Sequence, residues 1–436
     1  MLKKLGKKIL LALLVITCLP IVSIQAKQPS SASKLVANGH EFDLKSEQAI
    51  LIDLTDQKIL YQKDQNKRIH PASMTKIMTV LVAIEHIDDL DQTMVLDDDV
   101  FEGLLEANAS VAGFLLREEV TMRELLYATM IASGADAARA LAIHVSGSEA
   151  NFVKLMNQKA KELGLTNTHF VNTTGLDDDD HYATVSDIAK LLESAIQNKQ
   201  FLKIFKTREY TLLGNEVRET GIQLKSTMLG QIENLGYEDN LIEGGKTGYT
   251  EGGGLCLAST AWHEGTHYLA VTANGGLDHN SGNNIMDAYT MYQYYFKNYA
   301  RKTIVKKGMV YLTLPVKWNF SQSKLEFKAD KDLTTLAPSD MKEDAVKKHF
   351  IGEKTVKTPI AKQQLLGQLE FMYGNELLTS LEIRSTEEID RNPLLYYSEP
   401  ILNFFKTNAL ATVLLIAACF GVVIIIIWRK KYRRYL

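Results

Sequence analysis

Pro71-Ala72-Ser73-Met74-Thr75-Lys76 is the stretch on which the reading of this chain turns. A serine and a lysine three residues apart share one face of a helix, one turn from each other. The residues that follow support a helix. Ile77, Met78, Val80, Leu81 and Ile84 make an apolar stripe at helical spacing, so Ser73 to His86 is predicted helical. A serine hydroxyl alone is a poor nucleophile. It needs a base one hydrogen bond away and a preorganised site for an oxyanion. Lys76 is such a base only when neutral, which requires a lowered pKa. Ser73 at the start of a helix also places developing negative charge near the positive end of the helix dipole.

Two further stretches extend this chemistry. Ser133-Gly134-Ala135 offers a second hydroxyl, which both donates and accepts and so suits a proton relay between Lys76 and a leaving amine; a plain helix cap at the Ser-Gly break is the competing reading. Gly244-Gly245-Lys246-Thr247-Gly248-Tyr249 contains K-T-G, which accompanies S-x-x-K in serine acyl-transfer enzymes. Lys246 is a candidate second cation that helps to depress Lys76. Lys246 and Thr247 suit a substrate carboxylate, as one point charge and one hydroxyl donor. Gly244, Gly245 and Gly248 clear side chains where a backbone must approach a ligand. The N–H groups of Ser73 and Tyr249 are the expected oxyanion hole. A phosphate loop is excluded, because Asn240 stands where that motif needs its first glycine.

The two ends place this chemistry outside a membrane. Residues 1–26 read as a secretory signal: Lys3, Lys4, Lys7 and Lys8, then an apolar core from Ile9 to Val15, then Ala26 as a small residue for cleavage. Residues 409–428 carry no charge and match the roughly 20 residues that cross a bilayer. Arg429, Lys430, Lys431, Arg433 and Arg434 follow, a basic flank that stays in the cytoplasm. The expectation is a single-pass membrane protein with an extracellular ectodomain and a cytoplasmic tail.

Without the signal and tail, 40 basic residues face 52 acidic ones, a balance of −12. Such an ectodomain is not drawn to nucleic acid by charge. Of three cysteines, Cys18 lies in the signal and Cys419 in the span, so Cys256 is left without an intramolecular partner and reads as a buried strand residue. Asp177 to Asp180 reads as a solvated loop that His181 positions. No histidine set has ligand spacing, so neither a metal nor another cofactor is expected.

Between the ends, Gln48–Leu54 and Lys58–Gln62 are predicted to form a hairpin. Met122–Ser133, Ala135–Val145 and Gly147–Leu163 are predicted helices. Residues 242–247, 253–260 and 267–273 are predicted strands, followed by a helix over 287–299. Beyond 300 the pattern changes to short strand-like runs at 309–314, 324–329, 365–373 and 377–384. The expected organisation is a signal (1–26), a leader (27–44), a catalytic domain (45–299), a β-rich domain (300–386), a membrane-proximal segment (387–408), the span (409–428) and the tail (429–436).

The chain resembles the low-molecular-mass penicillin-binding proteins, the D-alanyl-D-alanine carboxypeptidases of the S11 type. The resemblance rests on Ala72-Ser73-Met74-Thr75-Lys76, Ser133-Gly134-Ala135-Asp136-Ala137-Ala138, Phe152 to Asn157, Gly175-Leu176 near His181, and Gly245 to Thr250. It implies an α/β (α+β) penicillin-recognising fold, like that of the β-lactamases, with an antiparallel sheet flanked by helices. It implies that Ser73 attacks the bond between the last two D-alanines of a peptidoglycan stem peptide, with Lys76 as base and Ser133 as relay, and that β-lactams inhibit covalently. One departure stands out. Ala135 occupies the place of the asparagine in the family's Ser-x-Asn motif, so a neighbour such as Asp136 or a water would have to compensate. Two other readings share Ser73 and Lys76: a wall-binding pseudoenzyme, suggested by Ala135, and a β-lactamase, which lacks its expected Glu-x-x-Leu-Asn segment between Ser133 and Lys246.

Overall fold

The structure is a computed structural model that describes residues 35–36, 40–237 and 240–432. The expected signal, most of the leader and the last four tail residues lie outside the described residues.

Five strands form an antiparallel sheet in the order Lys58–Lys63, Gln48–Asp53, Thr266–Ala273, Gly254–His263, Gly244–Thr250, and Leu35–Val36 adds a sixth, parallel strand at the Lys58–Lys63 edge. The opposite edge is the Gly244–Thr250 strand, which carries K-T-G. Both faces are covered, which explains why the strands read as continuous apolar runs. Ile50, Ile52, Cys256, Ala258, Leu269 and Val271 face a helical layer. Ala49, Leu51, Leu257, Tyr268 and Ala270 alternate with them and face the helix Asn283–Asn298 through Ile285, Tyr289, Tyr292 and Tyr295. The expected antiparallel sheet flanked by helices is therefore present.

The helix Lys76–His86 runs through the middle of the helical layer, buried from Lys76 to Ala83. Its neighbours Met122–Ile131, Ala135–Ser146 and Glu149–Glu162 close on it from the sides. Met122–Ile131 starts in a capping box, where Thr121 Oγ1 accepts the Glu124 N–H and the Glu124 carboxylate accepts the Thr121 N–H. Each fully buried Leu, Ile or Met of this layer contributes about 1.5–3 kcal/mol. The predicted helix over Ser73–His86 differs at its start: Ala72–Thr75 is a 3-10 turn and the α-helix begins at Lys76.

The β-rich region has its own core of Val305, Leu314, Val316, Leu325, Phe327, Leu369, Phe371 and Ile383. It contains the four predicted runs and also Tyr299–Val305, Leu333–Pro338, Lys347–Gly352 and Val356–Lys357. It meets the sheet at the tip of the first hairpin. Asp56 accepts from Arg301 Nη2, the Leu336 N–H and the Thr335 hydroxyl, each at 2.8 Å. Lys58 pairs with Glu376 at 3.5 Å. Two helices follow, Pro393–Thr407 and Ala409–Tyr432. The second is long and apolar enough to cross a membrane, over Thr412–Arg429.

Candidate active site

Ser73 and Lys76 meet as the spacing requires: Lys76 Nζ lies 3.1 Å from Ser73 Oγ. Ala72 adopts φ +47°, a strained conformation for a residue with a Cβ, and so turns the chain sharply into the 3-10 turn. Lys76 Nζ also donates to the carbonyl of Thr174 at 2.6 Å. A folded loop presents that carbonyl. Asn172 Oδ1 accepts the N–H groups of Thr174 and Gly175 at 3.2 and 2.7 Å. Glu149 accepts the Thr173 N–H, and Thr79 Oγ1 donates to the Thr173 carbonyl. Asn157 pairs with the backbone of Phe170 in both directions. Gly175 is needed for close approach: a Cβ there would come within 1.9 Å of the Ala72 carbonyl oxygen.

His181 fixes the same loop to the turn. Its Nδ1 accepts the Val171 N–H at 3.1 Å, so the neutral ring carries its proton on Nε2 and donates to Thr75 Oγ1 at 2.8 Å. Burial pushes this imidazole down to about 4.

Ser133 and Lys246 form the far side. Ser133 adopts φ +61° between the helices Met122–Ile131 and Ala135–Ser146. Lys246 Nζ donates to Ser133 Oγ at 2.9 Å and to the Thr247 carbonyl at 2.8 Å. Sheet register explains its direction. Lys246 pairs with Ala258, whose side chain faces the helical layer, so Lys246 points beneath the cleft. Thr247 pairs with Leu257 and points the other way, where its Oγ1 lies 2.7 Å from Thr227 Oγ1. Gly248 returns to the first face, and a Cβ there would meet Ala72 Cβ and the Ser73 nitrogen at 3.0 Å.

Neither buried lysine has a carboxylate at ion-pair distance among the described residues. Lys76 is 2% exposed and Lys246 0%. Burial pushes the Lys76 ammonium down to about 7, against the pull of Asp136 and Glu149. Lys246 is pushed well below the usual lysine range, by burial first and by the Lys76 charge second. An amine of Lys76's affinity is neutral in a substantial fraction of molecules at neutral pH, and its lone pair faces a hydroxyl.

These groups border a cleft of about 850 Å³. Ser73, Lys76, Ser133, Thr247, Gly248 and Tyr249 line it. Lys246 does not, because its ammonium is enclosed behind Ser133; direct contact with a substrate carboxylate is not the geometry observed. Tyr249 hydrogen-bonds the Leu277 carbonyl and packs on His279. Ala135 lines the cleft and donates its N–H to the Ser110 carbonyl at 2.7 Å. Asp136 does not stand in for the missing asparagine. Its carboxylate accepts the N–H groups of Ala112, Gly113 and Ala137 and holds the Ala112–Phe114 loop. Asp177, read as solvated, accepts the Gly252 N–H at 2.8 Å and pins the turn after K-T-G. Sequence reasoning missed Thr174, Asn172, Thr227 and Gln231; only Gly175-Leu176 and the Phe152–Asn157 run pointed towards that loop. No cluster of three or more potential metal ligands occurs among the described residues.

Comparison with known proteins gives the family of the chain. The D-alanyl-D-alanine carboxypeptidase model of the peptidase S11 family matches residues 33–276, and the model described as penicillin-binding protein 5, C-terminal domain, matches residues 299–391. The chain belongs to the peptidase S11 family of D-alanyl-D-alanine carboxypeptidases, which are serine hydrolases. It is 29% identical to the D-alanyl-D-alanine carboxypeptidase DacF of Bacillus subtilis, over 89% of this chain and 95% of the relative. It is 25% identical to DacA of Escherichia coli, over 87% and 92%. Among solved structures it is similar in fold to the carboxypeptidase DacD of Francisella tularensis, with a TM-score of 0.67, 20% identity and coverage of 83% and 97%. Penicillin-binding protein 5 of Haemophilus influenzae gives 0.64, 22%, and 81% and 99%.

Proposed function

We propose that this protein removes the terminal D-alanine from peptidoglycan stem peptides ending in D-Ala-D-Ala, through an acyl-enzyme on Ser73. The 3.1 Å contact between the Ser73 hydroxyl and an amine held near pKa 7 carries the reading. Ser73 Oγ attacks the carbonyl carbon of the penultimate D-alanine while its proton passes to Lys76 Nζ. The oxyanion takes hydrogen bonds from the N–H groups of Ser73 and Tyr249. Collapse breaks the C–N bond, and the leaving amine receives the proton from Lys76 through the Ser133 hydroxyl. Water then attacks the ester while Lys76 takes its proton, the C–Oγ bond breaks, and Lys76 returns that proton to the departing Ser73 Oγ, so that the shortened peptide leaves a free Ser73 hydroxyl.

The peptide lies along the free edge of the Gly244–Thr250 strand, as an added strand. Thr247, Gly248 and Tyr249 contact it there, while Lys246 acts from behind through Ser133 and the Thr247 carbonyl. β-Lactams acylate the same serine. The catalytic domain spans 45–299, the β-rich domain 300–386 and the membrane-proximal segment 387–408. The span anchors the protein with its ectodomain outside the cell and its basic tail in the cytoplasm.

Fluorescent penicillin is expected to label the wild type and not Ser73→Ala. Release of free D-alanine from an N-acyl-Lys-D-Ala-D-Ala peptide supports the carboxypeptidase. Stable labelling without release sinks it in favour of a wall-binding pseudoenzyme, the reading Ala135 favours. Rapid loss of label with drug hydrolysis sinks it in favour of a β-lactamase.

A further inference from the structure

A peptide ending in D-alanine brings a carboxylate into the cleft, yet the Lys246 ammonium is wholly enclosed and bonded to Ser133 Oγ and the Thr247 carbonyl. Among the described residues that line the cleft there is no arginine, and the groups able to carry positive charge are Lys76 and His279. Lys76 is committed to Ser73 and the Thr174 carbonyl. The carboxylate must therefore be met chiefly by neutral donors.

The helix Thr227–Asn234 supplies candidates next to Thr247. It packs on the K-T-G strand: Met228 Sδ fills the space where a Cβ at Gly245 would stand, 2.3 Å from that position, so a larger residue there would displace the Met228 side chain. Thr227, its first residue, brings Oγ1 to 2.7 Å from Thr247 Oγ1. Two hydroxyls at that distance share one proton between them, and the second proton is free to point outward. A carboxylate only accepts, so it selects the arrangement in which Thr227 donates to Thr247 and Thr247 donates to the ligand. Gln231 is four residues on, hence on the same helix face, and lines the same cleft. Its Oε1 is enclosed and has no hydrogen-bond partner among the described residues. Its N–H groups remain as donors for a ligand.

We infer that Thr227 and Gln231 complete the recognition site for the substrate's terminal carboxylate, Thr227 as a positioning residue that directs the Thr247 hydroxyl and Gln231 as a direct contact. This rests on the proposed carboxypeptidase function and assigns the selection of a free C-terminus to a neutral site.

The test compares the full-length protein in detergent micelles on two substrates, N-acyl-Lys-D-Ala-D-Ala and the same peptide with a C-terminal amide. Thr227→Val is expected to lower kcat/KM for the acid about tenfold, chiefly through KM, and that for the amide by less, because a hydrogen bond to an ionised carboxylate is roughly twice as strong as one to a carboxamide oxygen. Thr227→Ser keeps wild-type values. Gln231→Glu lowers the acid's kcat/KM further than Gln231→Leu does, by charge repulsion, and again lowers the amide's by less. Equal losses on both substrates, or no loss on the acid, overturn the inference; unchanged thermal unfolding of the Ser and Glu variants guards against misfolding. If the wild type releases no D-alanine from the acid, the proposed function fails. The carboxylate site is then read from acylation by benzylpenicillin, which also carries a carboxylate: slower acylation of Thr227→Val upholds the site and equal acylation overturns it.

Discussion

Two regions of this molecule bury charge, and they do so in opposite ways. At the tip of the first hairpin, Asp56 meets Arg301 and Lys58 meets Glu376, while the Leu336 N–H and the Thr335 and Tyr299 hydroxyls take the remaining oxygens. In the cleft, Lys76 and Lys246 are buried as deeply as Lys58, with only hydroxyls and carbonyls bonded to them. Paired charges hold two bodies together, and the Glu376 charge opposes the downward pull that burial exerts on Lys58. Unpaired ones are forced towards the neutral form. The first arrangement is a joint and the second is a store of basicity, and the two are told apart by what lies within 4 Å of each nitrogen.

The sharpest way to break the contrast is Lys76→Met, which keeps an unbranched side chain out to Cε and removes the amine. D-alanine release is expected to fall by about three orders of magnitude or more, with the fold intact by circular dichroism. Residual turnover within tenfold of wild type would falsify the role of Lys76 as base. At the joint, Asp56→Ala strips Arg301 of its ion-pair partner and Thr335 and the Leu336 N–H of a shared acceptor. A loss of about 3 kcal/mol in denaturant unfolding is expected, with penicillin acylation unchanged; a stability within 0.5 kcal/mol of wild type, roughly the scatter of surface substitutions, contradicts the joint. The pH profile sharpens the comparison further. Lys76 serves as base in its neutral form, whose fraction grows with pH, so kcat/KM is expected to rise through about pH 7 and to fall about tenfold per unit below it. A flat profile between pH 5.5 and 8 rules this out. The smallest effect is expected from Ala135→Asn, which returns a carboxamide to the wall and raises kcat/KM by up to about tenfold.

The sequence spoke most clearly where side-chain type and local spacing carry the information. Ser73 and Lys76 meet because three residues make a turn, and the apolar stripe behind them shows a helix. The hairpin and the strand runs of the sheet follow from their patterns too. Other features depend on tertiary register. Lys246 looks like an exposed cation beside glycines, and only its pairing with Ala258 turns it beneath the cleft. Thr174 acts through a backbone carbonyl, which every residue possesses, so no residue type announces it. Thr227 finds Thr247 across twenty residues by helix docking. The short strands at Thr93–Val95 and Glu119–Thr121, and the charged start of Lys347–Gly352, are too brief or too polar to show a period.

His181 sets a second acid threshold, below the first. With its ring held neutral down to about pH 4, the unfolded chain binds one more proton than the native one between the ordinary histidine value near 6.5 and that point, so stability drains away over this interval as acid is added. In the proposed mechanism the loss of reactivity at Lys76 starts first, near pH 7, and the two declines then run together as acid is added, so acid weakens turnover and architecture over one shared interval.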